Sequence, residues 1–136
     1  MTVLGIDFGD RRIGIAKSDA LGMLAGGLDT IAWDRDINVP VEKIVELIRF
    51  HKVGKVVVGM PRNMDGSHGE RARVTDDFAA VLRGKTDVEI IFWDERLTSK
   101  SARRTMQEKG IKTGHHKSDV DRIAACYILQ SYLDSR

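Results

Sequence analysis

Two short runs, Val3-Leu4-Gly5-Ile6 and Val56-Val57-Val58-Gly59-Met60, contain no polar side chain. A strand turns successive side chains to opposite faces, so such a run needs cover on both of them. Helices packed on the two sides of a sheet provide that cover. Val3 to Asp7 and Lys55 to Met60 are accordingly read as buried strands. A Gly9-Asp10-Arg11-Arg12 turn and a second strand from Ile13 to Ser18 make the opening a hairpin. An extended piece near Gly27 to Ile31 adds a third strand.

From Asn38 the pattern changes. Asn38 can cap a helix, Pro40 suits its first turn, and Val41, Ile44, Val45, Leu47 and Ile48 recur at helical spacing up to about His51. After Met60 comes a polar loop, Pro61 to Ser67, then a helix from about Gly69 to Leu82 with Val74, Phe78, Val81 and Leu82 inward. The Gly84 turn leads to a strand from Val88 to Trp93. Thr98 or Ser99 can cap a helix through about Glu108, Gly110 to Lys117 is a basic loop, and Ser118 caps a last helix to about Leu133. Parallel strands require crossover helices, so the expected class is α/β, a mixed sheet flanked by helices. At 136 residues, the chain is expected to form one domain, residues 1–136.

Composition removes several function classes. The apolar runs fall far short of the roughly 20 residues that a membrane-spanning helix needs. The start lacks a basic leader and an apolar stretch, so a cytoplasmic protein is expected. Cys126, the lone cysteine, stands in an apolar helical stretch and reads as a buried, inert thiol. A net charge of +2 is too mild for a purely electrostatic nucleic-acid coat, but basic residues crowd into Arg96–Arg104 and Lys109–Lys117.

The carboxyl ends of sheet strands are where sites form in folds of this class. Asp7 ends the first strand, Gly59 lies at the end of the fourth and Asp94-Glu95 ends the fifth, so these groups gather on one sheet edge. Neighbouring residues at a strand end point in opposite directions, so one of Asp94 and Glu95 enters the site while the other braces Arg96 or a helix terminus; Glu95 is the choice. Asp121 shares a helix face with Ala124, Ala125 and Ile128, which sets it at the edge of an apolar stripe. Asp119 is a further acid within reach, with a competing role at the helix terminus. Three carboxylates from separate segments suit Mg²⁺ or Mn²⁺, hard ions that take oxygen ligands and keep water. Two such ions can stabilise both ends of a phosphodiester under attack.

Arg62, Asn63, Ser67, Arg96, Lys100, Arg103, Arg104, Lys112, His115, His116 and Lys117 are candidates to contact phosphates. The adjacent histidines lack metal-ligand spacing and read as loop residues. Trp33 and Trp93 read as packing residues. Gly9 and Gly14 allow close backbone approach, a feature that suits phosphate binding.

Gly5-Ile6-Asp7-Phe8-Gly9 with Ile13-Gly14-Ile15-Ala16, Val58-Gly59-Met60-Pro61 with Asn63-Met64-Asp65-Gly66, Asp94-Glu95-Arg96-Leu97-Thr98, and Val120-Asp121 with Ala124-Ala125 occur in that order. In these motifs the chain resembles the YqgF/RuvX family along essentially its whole length. The resemblance implies a ribonuclease-H-like fold related to Holliday-junction resolvases, sheet order 3-2-1-4-5, and an acidic divalent-metal centre. It also implies a nuclease processing the 5′ end of the small-subunit (16S) ribosomal RNA precursor, with junction resolution as an older proposal. Carried over by motif, its acids fall on Asp7, on Asp94 and Glu95, and on Asp121. This chain departs in having Asp10 after Asp-Phe-Gly, where many relatives have threonine or serine, and in carrying Asp119.

Two other functions compete. The Asp7-Phe8-Gly9 opening also resembles the phosphate loop of actin-like ATPases, but those clamp nucleotide between two related domains and this chain has one such opening. A non-catalytic RNA-binding ribosome-assembly factor would use the basic loops alone. The expected partner is nucleic acid, RNA favoured over DNA, with no membrane, and the chain acting as a monomer or homodimer.

Overall fold

In a computed structural model, residues 1–61, 69–97 and 117–136 are described, without the side chains of Lys117, Ser118 and Asp119. The elements run β1 (Thr2–Phe8), β2 (Arg12–Ser18), β3 (Ala25–Ala32), α1 (Asn38–Phe50), β4 (Val53–Met60), α2 (Glu70–Arg83), β5 (Glu89–Asp94), a 3₁₀ turn (Glu95–Leu97) and α3 (Lys117–Asp134). The strands form one sheet in the order β3-β2-β1-β4-β5. β1 pairs antiparallel with β2 and parallel with β4, β3 is antiparallel to β2, and β5 is parallel to β4. The mixed sheet and its 3-2-1-4-5 order are as expected.

The apolar runs are covered as their composition requires. Leu4, Ile6 and Phe8 of β1 pack with Val56 and Val58 of β4 against α1 and α2. Val3 and Val57, on the opposite face, pack against Ala125, Ile128 and Leu129 of α3. The period-2 alternation therefore assigns Val3, Gly5 and Asp7 to the α3 face. On that face glycines mark where the helix lies. A Cβ at Gly5 would come 2.6 Å from Leu129 Cβ, and one at Gly14 would come 2.0 Å from the Asp121 carbonyl oxygen.

Several local expectations are refined. β3 is longer than expected, because Gly27 and Gly26 pair with Ala16 and Lys17 of β2 beyond a register shift that skips Leu28. Asn38 does not cap α1: the Asp36 carboxylate accepts from its backbone N–H at 3.0 Å, and no side chain of the N-cap residue Ile37 serves. The buried stripe of α2 runs through Ala72, Thr75, Phe78, Ala79 and Leu82, with Val74 and Val81 at its margin. Thr75 is accommodated there by donating its hydroxyl to the Arg71 carbonyl at 2.7 Å. Lys117 is already helical, so Ser118 lies inside α3. The helix expected from Thr98 or Ser99 to Glu108 lies outside the described residues.

Both tryptophans are packing residues. Trp33 donates Nε1–H to the Gly9 carbonyl at 3.0 Å and stands 5.4 Å from the Phe8 ring. Trp93 donates to Ser131 Oγ at 3.1 Å, and that hydroxyl donates to the Leu97 carbonyl at 2.8 Å, tying the end of β5 to α3. Cys126 is buried, and burial pushes its thiol up to about 12, so it is an inert core residue at neutral pH. Among the described residues, no helix is long and apolar enough to cross a membrane.

Candidate active site

The sheet register assembles the centre from three chain segments. Asp7 of β1 lies opposite Gly14 of β2. One strand over, Ile6 pairs with Val58, which in turn pairs with Phe92, so Asp7, Gly59 and Trp93 follow at the next level. Gly59 thus stands between Asp7 and the end of β5. A Cβ there would lie 3.1 Å from Glu95 Oε1 and 2.5 Å from Ile128 Cδ1. With only hydrogen at that position, the Glu95 side chain crosses over β4 and reaches Asp7.

The Asp7 and Glu95 carboxyls interact directly, and the interaction lowers Asp7 while it raises Glu95. Burial, then the neighbouring charge of Asp7, pushes Glu95 up to about 7. Asp7 is also raised, chiefly by burial and further by the charge of Asp121. Arg71 of α2 opposes both shifts as the nearby positive charge, yet does not cancel them. The result is a coupled acid pair in which Glu95 titrates near neutral pH.

Asp94 is turned to a different task. Its carboxylate accepts from Arg96 Nε at 3.2 and 3.1 Å, from Arg96 Nη2 at 2.7 Å, and from the Arg96 backbone N–H at 2.9 Å. Of the adjacent acids, one enters the centre and the other braces Arg96, as strand geometry requires. Asp121 stands beside the pair, close enough to raise Asp7, but its Oδ2 accepts from Arg12 Nε at 2.7 Å. Among the described residues, no three acidic, histidine or cysteine side chains are grouped closely enough to hold a metal ion as they stand. Asp7 and Glu95 are therefore brought together, while the third expected acid is occupied by an arginine.

Arg12 and Arg71 do not figure in the sequence reading of the site. Arg12 had a legible signal, because it alternates with Gly14 and Ala16 and so shares the α3 face with Asp7 across the strand pair. Arg71 had none, since its influence depends on where α2 docks. The closeness expected at Gly9 and Gly14 is taken up by the chain itself: Gly9 N–H donates to the Arg12 carbonyl at 3.0 Å, and Gly14 receives α3. Arg62, Asn63, Ser67, Lys100, Arg103, Arg104, Lys112, His115 and His116 lie outside the described residues, as do the side chains of Lys117 and Asp119.

The acid pair has a measurable cost. Glu95 holds its proton more tightly folded than unfolded, so its contribution to stability is present below its ordinary value of 4.5 and is lost as pH rises toward about 7. Glu95→Gln, whose amide can donate to Asp7, should therefore exceed the parent at pH 8. In EDTA, urea unfolding should show a gain of about 1 kcal/mol, discounted for the partial exposure of Glu95 and shrinking toward pH 4.5. Equal stability at pH 8 would mean that the pair is not strained.

Comparison with known proteins supplies the family. Residues 1–135 match the model of the family described as RuvX, Holliday junction resolvase. A relative from Acetivibrio thermocellus, named "Putative pre-16S rRNA nuclease", is 53% identical across 100% of this chain and 97% of its own. Relatives of the same name from Pelotomaculum thermopropionicum and Oceanobacillus iheyensis are 43% and 38% identical, each across 100% of this chain and 88% and 100% of their own. Among solved structures, Thermus thermophilus RuvC in complex with a Holliday junction substrate superposes with a TM-score of 0.68 at 12% identity, covering 99% of this chain and 96% of that one. A second structure of that RuvC gives 0.63 at 14% identity, with the same coverage. At such identities the likeness establishes the fold, which is ribonuclease-H-like. The full-length family match and the 53% identical relative place the chain in the RuvX (YqgF) family.

Proposed function

We propose that this chain is a divalent-metal-dependent nuclease that hydrolyses phosphodiester bonds in the cytoplasm, in 5′-end processing of the 16S ribosomal RNA precursor. The Asp7–Glu95 pair carries the reading. Two carboxyls held together at the carboxyl ends of β1 and β5, both raised by burial, Glu95 to about 7, destabilise the fold and fit a centre built to receive positive charge. The donors are all carboxylate oxygens, the set that Mg²⁺ and Mn²⁺ take. Asp7 and Glu95 would hold the ion, with Asp121 as the third acid and Asp94 and Asp119 as additional candidates. A bound ion would supply Lewis-acid charge to the phosphoryl oxygens and a water of lowered pKa.

The chain's own groups do the rest. Glu95 gives up its proton as pH rises through about 7, leaving both carboxylates free to bind a cation. Arg71 tempers their repulsion. Arg96, fixed by Asp94, holds a guanidinium directly after the end of β5. Arg62, Asn63, Ser67, Arg103, Lys112 and Lys117 would contact the substrate backbone and set its register without reading its bases.

The family's description and the shared fold with a RuvC held on a junction favour one second reading, cleavage of four-way DNA junctions. A single assay separates the two. End-labelled precursor RNA spanning the mature 5′ end, unrelated single-stranded RNA and a four-way junction are each incubated with Mn²⁺, Mg²⁺ or EDTA. Metal-dependent cleavage of the precursor is expected. Cleavage confined to the junction would transfer the function to resolution, and binding of every substrate without cleavage would make the chain an assembly factor.

A further inference from the structure

The ion pair between Arg12 and Asp121 joins residues 109 positions apart, and it stands on the acid expected to complete the metal set. Gly14 makes it possible. Because this position has no side chain, the Asp121 backbone seats directly on β2, two residues from Arg12 on the same strand face. Arg12 then reaches Asp121 Oδ2 through Nε alone. Among the described residues its two Nη groups have no hydrogen-bond partner. The pair is accessible, with side-chain exposures of 41% for Arg12 and 21% for Asp121. It lines an open concavity of about 440 Å³ together with Gly9, Asp10 and Arg11.

We infer that Arg12 is an internal counter-ion of the acid centre, which a divalent cation must displace from Asp121, so that Arg12 sets the affinity for metal. The inference rests on the metal-dependent reading above. An acidic partner on a ligand raises its basicity and tightens metal binding; a cation on a ligand does the reverse, withdrawing charge from the carboxylate and repelling the incoming ion. Arg12 accordingly holds Asp121 in place when no metal is bound and opposes metal until it lets go. The released guanidinium faces the concavity, where its planar fork matches a phosphate. Metal at Asp121 and a phosphate at Arg12 thus favour one another, and the coupling is reciprocal.

The test is direct titration of the metal-stripped full chain with Mn²⁺, followed by electron paramagnetic resonance of the free ion, without nucleic acid. Arg12→Gln should bind Mn²⁺ about tenfold more tightly than the parent. Arg12→Lys, which keeps the charge, should stay near the parent, and in an Asp121→Asn background Arg12→Gln should change affinity little. A non-cleavable phosphorothioate RNA should tighten Mn²⁺ binding to the parent and not to Arg12→Gln. Far-ultraviolet circular dichroism verifies that each variant is folded; if Arg12→Gln is not, the comparison of Arg12→Lys with and without Asp121→Asn decides. Unchanged or weaker Mn²⁺ binding by folded Arg12→Gln, or an equal gain with Asp121 removed, would overturn this inference alone. Failure of the parent and Arg12→Gln alike to bind Mn²⁺ would overturn the metal-dependent reading together with it.

Discussion

Asp7→Asn is expected to lower cleavage by at least about a thousandfold while leaving the fold as stable as the parent's, or more so, at pH 8. The first part follows from position. Asp7 is the acid on which the other two converge, beside Glu95 and within the field of Asp121. Asparagine keeps the shape but offers no charge to a cation. The second part follows from the direction of the Asp7 shift. Its carboxyl is raised above the ordinary 3.8, chiefly by burial, so the folded state binds the proton more tightly than the unfolded one. That contribution is present below pH 3.8 and is lost as pH rises through the folded value. A neutral amide does not lose it. Multiple-turnover cleavage and thermal unfolding of the same preparation check both parts. Retained turnover would remove Asp7 from the reacting centre. Lost turnover with a falling melting temperature would make Asp7 a structural residue.

Gly14→Ala should be the most damaging small substitution in the sheet. The new methyl would lie 2.0 Å from the Asp121 carbonyl oxygen and 2.5 Å from its carbon. Those atoms belong to a helix backbone and cannot rotate aside as a side chain would. Overpacking of flexible neighbours costs about 1–3 kcal/mol, and a fixed backbone should put this variant at or above the upper end. A fall in melting temperature of about 10 °C or more follows for a chain of this size. Cleavage should fall as well, because lifting the start of α3 carries Asp121 away from Asp7 and Arg12. Gly26→Ala in β3 is the matched control: nothing lies within 4 Å of its added Cβ, and its stability should change by less than about 0.5 kcal/mol. Similar melting temperatures for the two variants would show that α3 does not rest on Gly14.

The glycines separate what the sequence discloses from what it does not. In the sequence, Gly14 reads as a site of close backbone approach that suits phosphate binding, and Gly59 only as the end of the fourth strand. In the fold, Gly14 is the seat of α3 and Gly59 the gap through which Glu95 crosses to Asp7. A missing side chain carries no mark of what fills its place. The capping of α1 by Asp36 and the burial of Thr75 also depended on neighbours that the helical period does not reveal.

Local chemistry was sufficient for the buried strands, for the courses of the described helices though not for their caps, and for the meeting of Asp7 with the end of β5. Runs without polar residues must be covered on two faces, helical spacing repeats within a few residues, and strand ends in an α/β sheet point one way. The division of labour between Asp94 and Glu95 was legible for the same reason, since adjacent residues at a strand end diverge. The tertiary structure alone decided that Arg12 holds Asp121 and that Arg71 lends its charge to Asp7 and Glu95. Those contacts join segments far apart in the chain, and electrostatics acts through distance in space, which a linear pattern does not encode.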